Sequence, residues 1–289
     1  MHFYDISLTD SVTFGLKLGR IDIPFGEEYL WQDAIDNPLI TNSAAYPYGW
    51  DEGILVYGDI HGLGWVAAIT DGTDDRSTEE NSDKAFNFKI YGNPFESLDL
   101  SLSVMTNGDV SKSAIEFGGS HFRPVGAAHQ STLGTSPNTE VDADLMEINA
   151  KYNFSFARNE AYLALSFGSA KADDSDPLFD RDFRWFSIEP FIQISKNWYA
   201  TLRYSEIGTY DDNEGHHFDG KTFAGGNAAF GYDTQRFQRM SLGLGWTPNP
   251  RIRAKLEFAK DRYELIDVSP LSPNNGNRNF TGFEIAVGF

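Results

Sequence analysis

The segment from Asn279 to Phe289 reads NFTGFEIAVGF, with Phe283, Ile285, Val287 and Phe289 at every second position and Gly282, Glu284, Ala286 and Gly288 between them. A strand sends successive side chains to opposite faces, so this alternation describes a ribbon with one apolar and one polar face. Helical spacing does not produce it. The same comb recurs upstream. Phe86, Phe88 and Ile90 alternate with Asn87, Lys89 and Tyr91, and Leu98, Leu100, Leu102 and Val104 with Asp99, Ser101 and Ser103. Ile148, Ala150, Tyr152 and Phe154 oppose Glu147, Asn149, Lys151 and Asn153, and Trp198, Ala200, Leu202 and Tyr204 oppose Tyr199, Thr201, Arg203 and Ser205. Met240, Leu242, Leu244 and Trp246 oppose Arg239, Ser241, Gly243 and Gly245, and Ile252, Ala254, Leu256 and Phe258 oppose Arg251, Arg253, Lys255 and Glu257. Roughly a dozen strands follow this rule, and the expected count is about 12–14.

Connections alternate as regularly as the strands. Short turns at His61–Leu63, Asn93–Glu96, Ser195–Asn197 and Thr247–Pro250 take turns with long polar loops at Pro24–Asp51, Asn107–Val141 and Tyr210–Thr234. A soluble sandwich also alternates along its strands, but has no reason to collect its long loops at one end. Its second face must also pack on something other than water, and here that face carries Lys, Arg, Glu, Ser and Gly. Short turns on one side and long loops on the other mark an all-β transmembrane antiparallel β-barrel of the outer-membrane type, in one domain over residues 1–289. Trp65, Trp198 and Trp246 lie on the apolar phase near short turns, where an interfacial aromatic girdle is expected.

Composition fits that assignment and removes rivals. The chain has 289 residues, 42 acidic against 23 basic, a net charge of −19 and no cysteine. A general nucleic-acid surface needs a basic stripe, so nucleic acid is not an expected partner. Without cysteine there is no disulfide scaffold, thiolate zinc site or haem-attachment motif, and no cofactor is expected. No run of about 18 apolar residues is available for a transmembrane helix.

Three segments resemble a known family. The comb ending in Phe289 is similar to the C-terminal signature strand of bacterial outer-membrane proteins, which implies recognition by the barrel-assembly machinery. LKLGRIDIPFGEEY (Leu16–Tyr29) resembles the strand-then-PFG segment of porins of the phosphate-selective O/P type, and RMSLGLGWTPNPRIRAKLEFAKDR (Arg239–Arg262) resembles their penultimate hairpin. The resemblance implies passive diffusion of small hydrophilic solutes or ions through a water-filled channel in the outer membrane. Phosphate selectivity does not carry over, because the family's ladder of lumen arginines and lysines has no position-by-position match.

The polar phase of each comb assigns the lumen charges. Basic Lys17, Lys89, Lys151, Arg203, Arg239, Arg251, Arg253 and Lys255 face acidic Asp5, Asp59, Asp99, Glu147, Glu189, Glu257 and Glu284, eight against seven. The net charge therefore belongs to loops and turns, and selectivity is expected from charges at the constriction. Arg251, Arg253 and Lys255, with Arg203 and Arg239, are expected to form one positive wall.

Two loops are candidates for the constriction. Pro24–Glu52 carries Glu27, Glu28, Asp33, Asp36, Asp51 and Glu52 without Lys or Arg, yet also Phe25, Tyr29, Leu30, Trp31, Ile35, Leu39 and Ile40. That apolar content favours packing against or inside the barrel, with Glu27, Glu28, Trp31, Asp33 and Asp36 as lining residues. Asn107–Val141 is the alternative.

Other classes are weakly signalled. Asp211, Asp212, Glu214, His216, His217 and Asp219 cluster in one loop. A solvated acidic loop is the plain expectation there, and a divalent-cation site centred on Asp211, Asp212, His216 and His217 the sharper one. No hydrolase motif accompanies it, so an enzyme is not expected, although a rim-located hydrolase and a surface adhesin stay as alternatives. Asp71, Asp74, Asp75, Glu79, Glu80 and Asp83 form an acidic run that bridging cations could tie to lipopolysaccharide phosphates. A monomer and a homo-oligomer are both compatible with this length. Strand parity adds one expectation. If Phe3–Leu8 is a strand the count is odd, about 13, whereas such barrels have even numbers, so an outward strand is expected before Met1. A 12-stranded barrel with residues 1–10 as a tail is the alternative.

Overall fold

Each comb forms a strand, and each strand pairs with the next. The computed structural model describes residues 2–9, 12–31, 33–44, 50–72, 83–110, 141–174, 181–209, 218–219, 233–265 and 275–288. Its strands are β1 (His2–Thr9), β2 (Val12–Asp22), β3 (Trp50–Ile60), β4 (Leu63–Thr70), β5 (Ala85–Phe95), β6 (Leu98–Val110) and β7 (Val141–Phe156). They continue as β8 (Asn159–Asp174), β9 (Arg181–Gln193), β10 (Trp198–Thr209), β11 (Phe218–Asp219), β12 (Asp233–Asn249), β13 (Ile252–Leu265) and β14 (Asn275–Val287). One antiparallel sheet holds them all in sequence order, with the two-residue β11 pairing only β12. β1 pairs with β2, so residues 2–9 belong to the sheet and not to a tail. One short helix, α1 (Glu28–Trp31), lies between β2 and β3.

Sequential antiparallel order follows from the tight turns. His61 and Gly62 have φ of 55° and 84°, and Ala157 and Arg158 of 50° and 70°, the left-handed pairs that two-residue hairpins need to match strand twist. Short connections after β1, β3, β5, β7, β9 and β12 alternate with longer ones after β2, β4, β6, β8, β10 and β13. The β5–β6 turn is later than the sequence spacing indicates, because pairing continues past an irregularity to Phe95↔Leu98. Trp50–Glu52 likewise belongs to β3 and not to the preceding loop.

The two faces invert the usual order of a soluble protein. Phe88, Leu244, Phe258 and Phe283 are exposed, Phe283 at 68%, while Lys89, Glu147, Arg203, Lys255 and Glu257 are at most 2% exposed. A chain with this arrangement keeps its apolar face stable only against lipid. Trp198 and Trp246 sit on that face, paired across β10 and β12 with ring centroids 6.5 Å apart, beside the short-turn end. The wall is not uniform. On β2–β4 the inward phase is also apolar, with Ile21, Leu55 and Ala68 buried against Tyr57 and Val66, which is why no clean comb marks that hairpin in the sequence.

Candidate functional site: a lumen narrowed by the first long loop

Segment 24–44 leaves β2 and turns inward. Phe25 and Leu39 are buried at 1% and 0%. Near its start, Gly26 N–H donates to Ser103 Oγ on β6 (3.1 Å), and Lys89 Nζ on β5 donates to Gly26 O (2.7 Å). Near its end the segment bonds to β10, β12 and β13. One loop reaches the same face of β5–β6 and of β10–β13 only because the sheet curls around it.

The inward wall binds the loop mainly through its main chain. Glu257 Oε2 accepts from Ile40 N–H (2.6 Å) and Thr41 N–H (2.8 Å), and Oε1 accepts from the Thr41 hydroxyl (2.6 Å). Lys255 Nζ donates to the carbonyls of Ala34 (2.7 Å), Asn37 (3.3 Å) and Leu39 (3.0 Å), and pairs with Glu284. Arg239 grips Asp261 through Nε (2.7 Å) and NH2 (2.8 Å) while NH1 donates to Asn42 O (3.1 Å). Arg203 donates to Glu189 (2.6 Å), Glu28 (3.1 Å), Thr41 O (3.0 Å) and Asn37 Oδ1 (3.2 Å). Charge-assisted bonds to loop peptide groups in a shielded interior hold more strongly than neutral ones.

The loop's own sequence prepares it for this. Asp36 and Asn37 N–H close a turn onto Asp33 O, and Asn37 Oδ1 accepts from Leu39 N–H (3.0 Å). Room comes from glycines on the inward phase of β12. A Cβ at Gly243 would stand 2.6 Å from Leu39, and one at Gly245 2.0 Å from the Tyr199 ring, whose hydroxyl donates to Pro38 O (3.0 Å).

Between this anchored loop and the opposite wall lies a cavity of about 660 Å³. Cross-strand register stacks its wall in levels. Lys89, Ser103, Glu147, Gly168 and Trp185 share one level across β5–β9. Tyr91, Ser101, Asn149, Ser166 and Ser187 form the next, and Asp99, Lys151, Ala164 and Glu189 the one after. Tyr162 and Phe191 stack below, centroids 4.7 Å apart, and Phe191 continues onto Tyr199 at 5.1 Å. Lys151 caps one end of that stack, 4.4 Å from the Tyr162 centroid, and Arg253 the other, 5.3 Å from Tyr199.

The residues assigned to the lumen from sequence thus divide into groups. Asp99, Glu147, Lys151, Glu189, Arg203 and Arg253 border the cavity, together with Glu27, Glu28 and Asp36 of the loop. Lys89, Arg239, Lys255 and Glu257 are instead engaged under the loop, Lys89 with Glu27 at 2.9 Å. Arg251 is exposed at the β12–β13 turn, and Lys17 is exposed with its ammonium 5.7 Å from the Tyr57 ring. Glu284 is tied to Lys255, and Asp33 is exposed, serving through its carbonyl. Trp31 belongs to α1, but its side chain is outside the described residues. The expected positive wall is therefore corrected. Of its five members, Arg203, Arg239 and Lys255 hold the loop, because their reach matches the carbonyls of 34–42. The sequence reading passed over Trp185 and Phe191, although strand phase alone places them with Ser187 and Glu189 on β9.

Asp211, Asp212, His216 and His217, and the alternative loop with Lys112, His121, Arg123 and His129, lie outside the described residues. Among the described residues no three His, Asp or Glu converge as a metal site, and no helix is long and apolar enough to cross a membrane.

No family model and no curated protein matches this chain. Solved structures do. The outer membrane channel DcaP of Acinetobacter baumannii aligns with TM-score 0.59 at 12% identity over 99% of this chain and 83% of its own. A loop L8 deletion mutant of OmpT, an outer membrane protein of Vibrio cholerae, aligns with TM-score 0.58 at 11% identity over 96% and 76%. A doubly substituted form of OccD1 (OprD) aligns with TM-score 0.53 at 12% identity over 94% and 63%. Fold and inverted surface together define the class. The chain has the fold of a transmembrane β-barrel of the outer-membrane type.

Proposed function

We propose that the barrel is a porin, an outer-membrane channel for passive diffusion of small hydrophilic solutes or ions, with segment 24–44 as its constriction. The observation that carries this is the cavity left beside the anchored loop, bordered by the ionisable side chains of Glu28, Asp99, Glu147, Lys151, Glu189 and Arg253. The charged and hydroxyl side chains of this wall keep water in the lumen and give permeant solutes exchangeable hydrogen-bond partners. The anchoring bonds set the passage width, so the constriction is a fixed part of the wall. Selectivity comes from groups bordering the cavity, not from the chain's −19. Purified protein in a planar bilayer is expected to give discrete open-channel steps, and vesicles containing it to admit small sugars up to a size limit. Absence of steps together with sugar-impermeable vesicles would overturn this reading in favour of an adhesin or hydrolase barrel.

A further inference from the structure

The upper levels of the cavity wall contain a carboxylate held by neutral donors alone. Glu147 Oε2 accepts from Trp185 Nε1 (2.6 Å), and Oε1 accepts from Asn149 Nδ2 (2.9 Å). Trp185 reaches it because Gly168 stands between them, where a Cβ would lie 2.1 Å from the indole. These donors orient the carboxylate without pairing it to a cation. Glu27 and Glu28 approach from the loop and border the same cavity. At this end Glu27, Glu28, Glu147 and Glu189 are accompanied by Lys89 and Arg203, four carboxyl groups with two cationic side chains.

A second observation, independent of those charges, points to a ligand. Ser101 Oγ, one level below Glu147, has no hydrogen-bond partner among the described residues, although Ser101 is only 6% exposed and borders the cavity. Buried hydroxyls are almost always bonded, so an orphaned one at the wall of this cavity marks a missing partner. The niche also limits that partner's shape. It is recessed, with Glu147 at 2% exposure, so it takes a small head group. Carboxylates here do not converge with metal-ligand spacing. A primary ammonium fits, since it is compact, charged and carries three N–H donors for separate oxygen acceptors. Tetraalkyl ammonium has no donor, and a carboxylate meets repulsion.

We propose that the niche formed by Glu147, Ser101, Glu27 and Glu28 is a binding site for the ammonium head of small primary amines passing through the lumen. The inference rests on the channel reading for its transport meaning, not for the binding itself. Passage past such a site is transiently interrupted while the amine is bound.

Potassium current through single channels in a planar bilayer tests this, with n-butylammonium as probe and tetramethylammonium and glutarate as comparisons. n-Butylammonium is expected to reduce wild-type current in a saturable way, and the two comparison ions are not. Glu147→Gln is expected to weaken the block about tenfold, as loss of a charge-assisted bond predicts, and Ser101→Ala by a smaller factor. Equal block in wild type and Glu147→Gln, or equal block by tetramethylammonium, would overturn the site while leaving the channel reading intact. If Glu147→Gln does not fold, as judged by heat-modifiable gel migration, Ser101→Ala decides by the same criterion. Should wild type show no open-channel steps, the channel reading fails instead. Calorimetric titration of n-butylammonium into the detergent-folded barrel then decides the site, with binding in wild type lost in Glu147→Gln supporting it and no difference overturning it.

Discussion

The two sides of the lumen are built from the same residue types and behave differently. On β10, β12 and β13, Arg203, Arg239, Lys255 and Glu257 each bond to the loop main chain, Arg203 and Arg239 while also paired with carboxylates. On β6–β9, Asp99, Glu147 and Lys151 face a cavity. A count of lumen charges treats both sides alike, yet on the first side Arg239, Lys255 and Glu257 are taken up under the loop, while Arg253 borders the cavity together with the second side. The inner polar phase of a barrel therefore has two tasks, binding an inserted loop and lining a path. What separates them is whether a peptide group lies within reach.

Breaking the anchored side should have the largest effect. Arg203→Ala strips one cation from Glu189, Glu28, Asn37 and Thr41 at once, leaving two carboxylates in the interior without it. Removing one partner of a buried pair costs about 3–5 kcal/mol. Unfolding by urea in lipid vesicles should show a loss of that order, and single-channel conductance should rise as the loop loosens. Lost stability with unchanged conductance would show that the loop is held without Arg203. Glu257→Ala should act in the same direction, since it frees Ile40 and Thr41 N–H together.

The outer face offers the next contrast. Leu244→Arg puts a charge into lipid and should cost about 2–4 kcal/mol near mid-bilayer. Its control must border the cavity. Ser241 does not serve, because it is fully buried beside the Thr41 hydroxyl. Ala164 borders the cavity, so Ala164→Arg should leave unfolding nearly unchanged and lower conductance instead. Equal unfolding costs at both positions would break the assignment of faces.

The fold was legible wherever one face of a strand is polar, as in β6, β7, β12 and β13. It was least legible on β2–β4, where Leu55 and Val66 give the inner face the same chemistry as Ile54 and Ile69 on the outer one. The inward loop was legible in part, because Phe25 and Leu39 are too apolar for a solvated tip. Which lysines and arginines would meet it was not. That depends on the positions of the carbonyls of 34–42, which are main-chain groups with no residue-type signature. Trp185 and Phe191 were hidden by a habit of pattern reading that assigns aromatics to lipid, although their phase places them in the lumen.

The smallest expected effect sharpens the comparison most, because it sets neighbours on one strand against each other. Arg253 and Lys255 are two residues apart on β13, and sequence spacing alone gives them one role. In the structure Arg253 borders the cavity, with its guanidinium on the Tyr199 ring and one bond to Asp36 O (2.7 Å), whereas Lys255 lies under the loop at 2% exposure. Arg253→Glu alone should therefore move the bi-ionic reversal potential toward cations. Its stability cost should be modest, because a cation over an aromatic face at a partly exposed site contributes about 0.5–1 kcal/mol. Lys255→Glu should act differently. It replaces a donor to three loop carbonyls with an acceptor beside Glu284, so the loop shifts and conductance rises before selectivity changes. Lys151→Ala, at the far end of the same aromatic stack, should repeat the Arg253 result at reduced size, since it removes one charge where Arg253→Glu reverses one. If all three variants moved the reversal potential equally, the cavity beside β6–β9 would not be where ions are sorted, and the division between the two walls would have to be redrawn.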